Sequence, residues 1–334
     1  MDLPRLRAGG VDAVVFAAWV HPAYVARGTA FARAAGLVRS VRALAARPDG
    51  FVLATRPEDV ARAAAEGRVA ACIGVEGGHA IENSLERLRE LYALGVRLLT
   101  LTWTNTNDWA DAEGDARRHG GLAPFGRDVV RTMNRLGMMV DVSHVSDEAF
   151  YDVLDANEAP VVASHSGVRS HTAHPRNLSD AMLRALAAQG GVVGIPAYGR
   201  FVDPGFDAAF ARWEAALGER LARARASHPD DPGRAELAAE RVRRAEAHRL
   251  PRVPLDRVVE QIERAVDVAG IDHVAMGTDF DGIPHTPAGL EDASRWSNLA
   301  RALAARGYDA DAVAKVLGAN ALRVWRAVER AAAR

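Results

Sequence analysis

Two histidines close short apolar runs in the same way. Residues 138–142 (Met-Met-Val-Asp-Val) lead into Ser143-His144, and residues 160–163 (Pro-Val-Val-Ala) lead into Ser164-His165. Between them, residues 147–154 carry apolar side chains at helical spacing. Strand, helix and strand in so few residues make a compact parallel βαβ unit, which sets both imidazoles at the C-terminal ends of neighbouring strands. Such strands lie ~4.8 Å apart, so both rings could reach one metal ion. The plain alternative is two core histidines that happen to end strands; it accounts for one such residue more readily than for a matched pair.

A third apolar run, residues 69–75, delivers Glu76 and then Gly77-Gly78-His79. Two imidazoles and a carboxylate suit zinc and leave a coordination position for water. The two oxygens of Glu76 could also bridge a metal pair, which hydrolases hold about 3.5–4 Å apart. Water activated there would attack a carbonyl carbon, and an amine leaving group would need a proton. Asp279, after the short run 273–277, is the acid placed for that. Asp281, just before Gly282, reads as a turn former. Arg176 lies in a long loop at residues 166–180 and is either a bidentate clamp for a substrate carboxylate or one half of a structural ion pair. His171 and His174 in that loop lack a matched partner and read as loop histidines.

The elements that must hold these groups alternate along the chain. Strands are expected at residues 11–20, 69–75, 96–102, 138–142, 160–163, 192–195 and 273–277, with helical segments between them. Several strands deliver polar groups at their C-terminal ends: Glu76, Asn105, His144, His165 and Asp279. A (β/α)8 barrel gathers such ends at one mouth, whereas an open doubly wound sheet needs only one switch point. Ser179 could cap a helix beginning at Asp180. Residues 203–251, rich in Ala, Arg and Glu, are expected to form two amphipathic, largely exposed helices outside the core. The whole chain, 1–334, reads as one barrel domain.

Composition excludes several functions. A net charge of −1 gives no electrostatic case for nucleic acid or an anionic membrane. Cys72 is the only cysteine, so an intrachain disulfide and a cysteine-rich zinc site are both ruled out. No apolar run reaches the ~18 residues of a membrane span. There is no Gly-x-Gly-x-x-Gly fingerprint and no P-loop. The opening residues show no signal peptide pattern, and the expected location is the cytoplasm.

Taken together, residues 73–79 (IGVEGGH), 140–146 (VDVSHVS), 164–166 (SHS), 174–177 (HPRN) and 277–282 (GTDFDG) resemble the membrane (renal) dipeptidase family, and the likeness extends through residues 289–292 and 317–320. The resemblance implies a (β/α)8 TIM-type barrel of the metallo-dependent hydrolase type with two Zn2+ ions and dipeptides as substrates. It implies Asp2 and Glu76 as ligands of a first metal, and Glu76, His144 and His165 as ligands of a second. It gives Asp279 the proton transfer and Arg176 the substrate carboxylate. In the fourth-strand motif Trp103 stands where the family usually has a substrate-binding histidine; its indole N–H donates a hydrogen bond but carries no proton. At the start of the chain, Asp2-Leu3-Pro4 matches the end of the family's Asp-Gly-His-x-Asp-Leu-Pro pattern, with Met1 on the variable position. The family's first strand and that histidine have no counterpart in residues 1–334, so seven strands are expected in an unclosed barrel with about one tightly held zinc. The expected partner is a small dipeptide-like substrate, and the expected assembly is a homodimer. A non-catalytic metal-binding homologue, and a hydrolase of another small amide or lactone, remain as alternatives.

Overall fold

The computed structural model describes residues 1–48 and 50–333. Its sheet contains β1 (Ala13–Trp19), β2 (Phe51–Leu53), β3 (Val69–Glu76), β4 (Val96–Thr100), β5 (Met139–Asp141), β6 (Val162–Ala163), β7 (Val192–Ile195) and β8 (Val274–Met276). The path runs β1-β3-β4-β5-β6-β7-β8, and every pairing is parallel. All C-terminal strand ends therefore gather on one rim, as in a TIM-type α/β fold. Register sets Trp19 beside Glu76, Glu76 beside Thr100, and Thr100 beside Asp141.

Apolar helix faces bury the outside of this sheet. Before β3 come α1 (Leu3–Gly9), α2 (Ala30–Ala45) and α3 (Pro57–Ala65); between β3 and β7 come α4 (Leu85–Ala93), α5 (Pro124–Leu136), α6 (Asp147–Ala156) and α7 (Asp180–Ala188). Local chemistry sets their ends. Pro124 opens α5, its buried face carries Val129, Val130 and Met133, and Gly137 stops it in the left-handed region at φ 75°. Ser146 caps α6 by accepting from the Ala149 amide, and Ser179 caps α7 by accepting from Met182. α8 (Gly199–Val202), α9 (Phe206–Ala226), α10 (Pro232–Glu246) and α11 (Leu255–Ala269) lead to β8, followed by α12 (Trp296–Ala305), α13 (Ala310–Ala314) and α14 (Asn320–Ala332).

The seven expected strands are all present, and β2, α1 and the four-residue α8 were not anticipated. β2 is too short to leave a periodic signal, and the seven-residue α1 is defined by its ends: Asp2 caps it, and Gly10 closes it at φ 70°. β2 does not close the barrel. Residues 70 and 71 of β3 pair with β1 and also with β2. A strand has only two edges, so β2 occupies the edge that β4 takes over from Val96 onward. Among the described residues β1 and β8 stay unpaired with each other, and Val15 on β1 is 54% exposed.

The insertion at residues 203–251 differs from the exposed pair of helices expected. Phe206, Phe210, Trp213, Leu217 and Leu221 of α9 and Ala239 of α10 are buried in the main core. The hairpin also ties the two sides of the open seam together. Beyond β1, Tyr24 bonds Asp231, and the Arg27 guanidinium donates to the Asp230 carbonyl at 2.6 Å. Beyond β8, Arg244 pairs with Asp281 at 3.4 Å. The apolar stripe was hidden in composition because alanine and arginine dilute it; tertiary contact reveals it.

Candidate active site

Glu76, His144 and His165 converge on the rim. The Glu76 Oε1 lies 3.1 Å from His144 Nε2 and 3.5 Å from His165 Nε2, and the two imidazole nitrogens are 2.9 Å apart. Among the described residues these three form a group whose donor atoms all fall within 4.8 Å of one another. Each side chain is at most 16% exposed. Burial drives the His144 and His165 pKa values well below 6.5, with the charge of Arg176 adding to it; for His165 the neighbouring His144 also lowers the value and Glu76 opposes. Both rings are therefore neutral at pH 7, the state in which an imidazole binds metal. Two neutral imidazoles and a carboxylate facing one point fit a divalent ion such as zinc.

The backbone around this group is strained in a particular pattern. His144 has φ 74° and Asp279 has φ 58°, left-handed values that side-chain-bearing residues rarely adopt. Strain of this kind persists where surrounding contacts enforce it, commonly at functional sites. Gly77, directly after Glu76, sits at φ 101°, and a Cβ on Gly78 would come within 2.5 Å of the Leu101 carbonyl oxygen. The turn that aims Glu76 inward needs both glycines.

Behind the histidines lies a buried carboxylate. Asp141 ends β5 and accepts four hydrogen bonds: from the amides of Ser143 at 3.0 Å and Ser164 at 2.9 Å, and from the hydroxyls of Thr100 at 2.5 Å and Ser164 at 2.6 Å. Burial is the largest influence and raises its pKa above the ordinary carboxylate value, with these donors opposing. The same Ser164 hydroxyl lies 2.7 Å from His165 Nδ1.

Arg176 reaches the rim from the loop between β6 and α7. It is buried, its Nη2 donates to the His165 carbonyl at 3.2 Å, and its guanidinium stacks over Phe201 at 5.4 Å. Its Nε has no hydrogen-bond partner among the described residues. Burial lowers its pKa to about 10, with Glu76 and Asp279 opposing, so it stays charged at neutral pH. No carboxylate forms a salt bridge with it among the described residues, which argues against a purely structural ion pair. Asn177 fixes the loop by accepting from the Gly167 amide and donating to the carbonyls of Thr172 and Phe201. His174 packs on Phe201 and accepts from the Arg176 amide; His171 faces Glu260 at 3.3 Å. Both thus support the loop.

Asp279 follows β8. Burial first, then the Glu76 charge, raises its carboxyl to about 8, against the pull of Arg176. Trp103 follows β4 and packs edge-on against Trp19 with ring centroids 5.0 Å apart. Trp19 is the register partner of Glu76, so this indole pair lies beside the end of β3. Asp2 lies apart from this group. Its carboxylate caps α1 by accepting from the Arg5 amide at 2.9 Å and pairs with the Arg5 guanidinium. Asp281, read as a turn former, has φ 67°, and its carboxylate pairs with the Met1 amino group at 2.7 Å and with Arg244 at 3.4 Å.

Sequence reasoning passed over Trp19 and the Asp141–Ser164 pair. Each had a signal: an indole at the end of a barrel strand, and an acid inside an otherwise apolar run.

The comparisons with known proteins agree with this geometry. The family model described as membrane dipeptidase (peptidase family M19) matches residues 1–334, and the chain belongs to that family. It is 35% identical over 286 residues to dipeptidase tcpJ of Claviceps purpurea (strain 20.1), an alignment covering 85% of this chain and 57% of that protein. The chain thus spans little more than half the length of the curated relatives it matches. Among solved structures, the probable dipeptidase PvdM from Pseudomonas aeruginosa superposes with a TM-score of 0.85 at 26% identity, covering 99% of this chain and 89% of that one. A metallo peptidase from Rhodobacter sphaeroides, liganded with a phosphinate mimic of the dipeptide L-Ala-D-Ala, has a TM-score of 0.76 at 25% identity, covering 98% and 90%. No helix among the described residues is long and apolar enough to cross a membrane.

Proposed function

We propose that residues 1–334 act as one metal-dependent hydrolase domain that cleaves dipeptides, with zinc held by Glu76, His144 and His165. The observation that carries this is the convergence of two neutral imidazoles and a carboxylate within 4.8 Å on the rim of a TIM-type sheet. Bound there, zinc would supply Lewis acidity toward water and the scissile amide carbonyl. The chain's own residues account for the rest. Arg176, buried and charged with a free Nε, offers a fork for the C-terminal carboxylate of a short peptide. Asp279, with its pKa raised to about 8, carries a proton at neutral pH and can pass it to the departing amine as the C–N bond breaks. Trp103 and Trp19 form an aromatic wall beside Glu76 that excludes water from one side of the substrate.

Family membership and the dipeptide mimic bound by the Rhodobacter sphaeroides relative support a dipeptide-sized substrate, D-residues included. The donor set suffices for one ion with an open position, so about one zinc per chain is expected. The test is metal analysis of the purified chain together with a dipeptide panel that includes L-Ala-D-Ala and blocked C-terminal amides. Zinc-dependent turnover of free dipeptides supports the reading. Zinc bound at this cluster without turnover of any dipeptide, amide or lactone would instead favour a metal-binding role without catalysis.

A further inference from the structure

We propose that Asp141, acting through Ser164, is a positioning residue that holds His165 as its Nδ1–H tautomer and so keeps the Nε2 lone pair facing Glu76 and His144; this rests on reading that cluster as a metal site. Ser164 Oγ lies 2.6 Å from Asp141 Oδ2 and 2.7 Å from His165 Nδ1, and it has a single proton to give. An ionised carboxylate can only accept. Asp141 has four donors directed at it, two of them backbone amides on Oδ1 and two hydroxyls on Oδ2, and this geometry favours the ionised form against the burial that raises its pKa. The Ser164 proton therefore points at Asp141, and its oxygen must accept from His165 Nδ1–H. A neutral imidazole protonated at Nδ1 has a bare Nε2.

The next contact follows the same logic. His165 Nε2 and His144 Nε2 are 2.9 Å apart and need one proton between them, which His144 then supplies. His144 has no comparable brace, because its Nδ1 is buried without a hydrogen-bond partner among the described residues. The two histidines thus differ: His165 is set for a metal in advance and His144 is not. The backbone holds Ser164 in place for this task. A Cβ on Gly194 would lie 2.2 Å from the Ser164 carbonyl oxygen, and one on Gly277 would lie 1.7 Å from it. Only glycine on β7 and after β8 lets the strand end at Ser164 sit where the hydroxyl spans both partners.

The test uses the metal-free full chain labelled with 15N-histidine. Long-range 1H–15N correlation at pH 7.5 reports the tautomer, and His165 is assigned by the signals lost in His165→Gln. The native chain should show His165 as Nδ1–H. In Asp141→Asn the two backbone amides still fix the side-chain oxygen, so the new NH2 donates to Ser164. The serine proton must then turn to His165 Nδ1, and the tautomer inverts to Nε2–H. Zinc affinity, measured by chelator competition, should fall about 10–100-fold, as for other altered outer-shell partners. Ser164→Ala should leave His165 with no single tautomer, and this variant decides the matter if Asp141→Asn does not fold. An Nε2–H His165 in the native chain, or an unchanged tautomer in a folded Asp141→Asn, overturns the proposal. These readings need no turnover. A native chain that binds no zinc would refute the metal reading while leaving the tautomer result intact.

Discussion

Replacing Asp279 by asparagine should make the metal-free protein's stability less sensitive to alkali. Asp279 is protonated in the folded state up to about pH 8, against an ordinary value of 3.8, because burial and the Glu76 charge oppose its ionisation. The unfolded chain ionises it near pH 4. A folded-state pKa raised in this way gives stability that is complete below pH 4 and is lost as pH rises toward 8. Between pH 5 and pH 8 the full effect is about 4 kcal/mol, at 1.36 kcal/mol for each unit. The mouth is partly open to water, so we expect about half of that, ~2 kcal/mol. The assay is urea unfolding of native and Asp279→Asn proteins at pH 5 and pH 8 with chelator present. The neutral amide has no ionisation to oppose, so native protein should lose ~2 kcal/mol more than the variant across this interval. The histidines, whose lowered pKa values destabilise the fold on the acid side, are present in both proteins and largely cancel in the difference. Equal losses in the two proteins would refute the claim that Asp279 holds its proton to neutral pH. It would then be no candidate for proton donor.

Three further expectations can be checked separately. Arg176→Met should raise KM for free dipeptides by about 100-fold or more while changing KM for their C-terminal amides little, since a lost charge-assisted pair is worth about 3 kcal/mol; equal effects on both substrates would make the arginine structural. Trp103→His should raise kcat/KM for dipeptides about tenfold by restoring a group that can hydrogen-bond and carry a proton, at a cost of about 1 kcal/mol in stability from the lost contact with Trp19, read by steady-state kinetics and thermal unfolding. Gly277→Ala should lower the urea midpoint by the equivalent of about 2–3 kcal/mol, because its methyl would collide with the Ser164 carbonyl, whereas Ala substitution at Gly218, which meets nothing within 4 Å, should raise stability slightly.

Much of this protein was legible before any fold was known. Continuous apolar runs announced the strands because parallel strands covered on both faces must be apolar throughout. The groups following those runs, Glu76, His144, His165 and Asp279, stood out because barrel chemistry collects at strand ends. Ser179 declared its helix start through local hydrogen-bonding alone. Other features depend on groups far apart in the chain. Burial of the α9 stripe needed Tyr198 and the barrel to pack against it. That Arg176 has an Nε without a partner among the described residues depends on which side chains the fold brings beside it. The position of β2 on an edge of β3, rather than in the seam between β1 and β8, follows from register and has no local signature. The direction of the Asp141–Ser164–His165 hydrogen bonds is of the same kind. Sequence named an acid in an apolar run and a serine before a histidine, but only strands brought side by side could put one hydroxyl between a carboxylate and an imidazole.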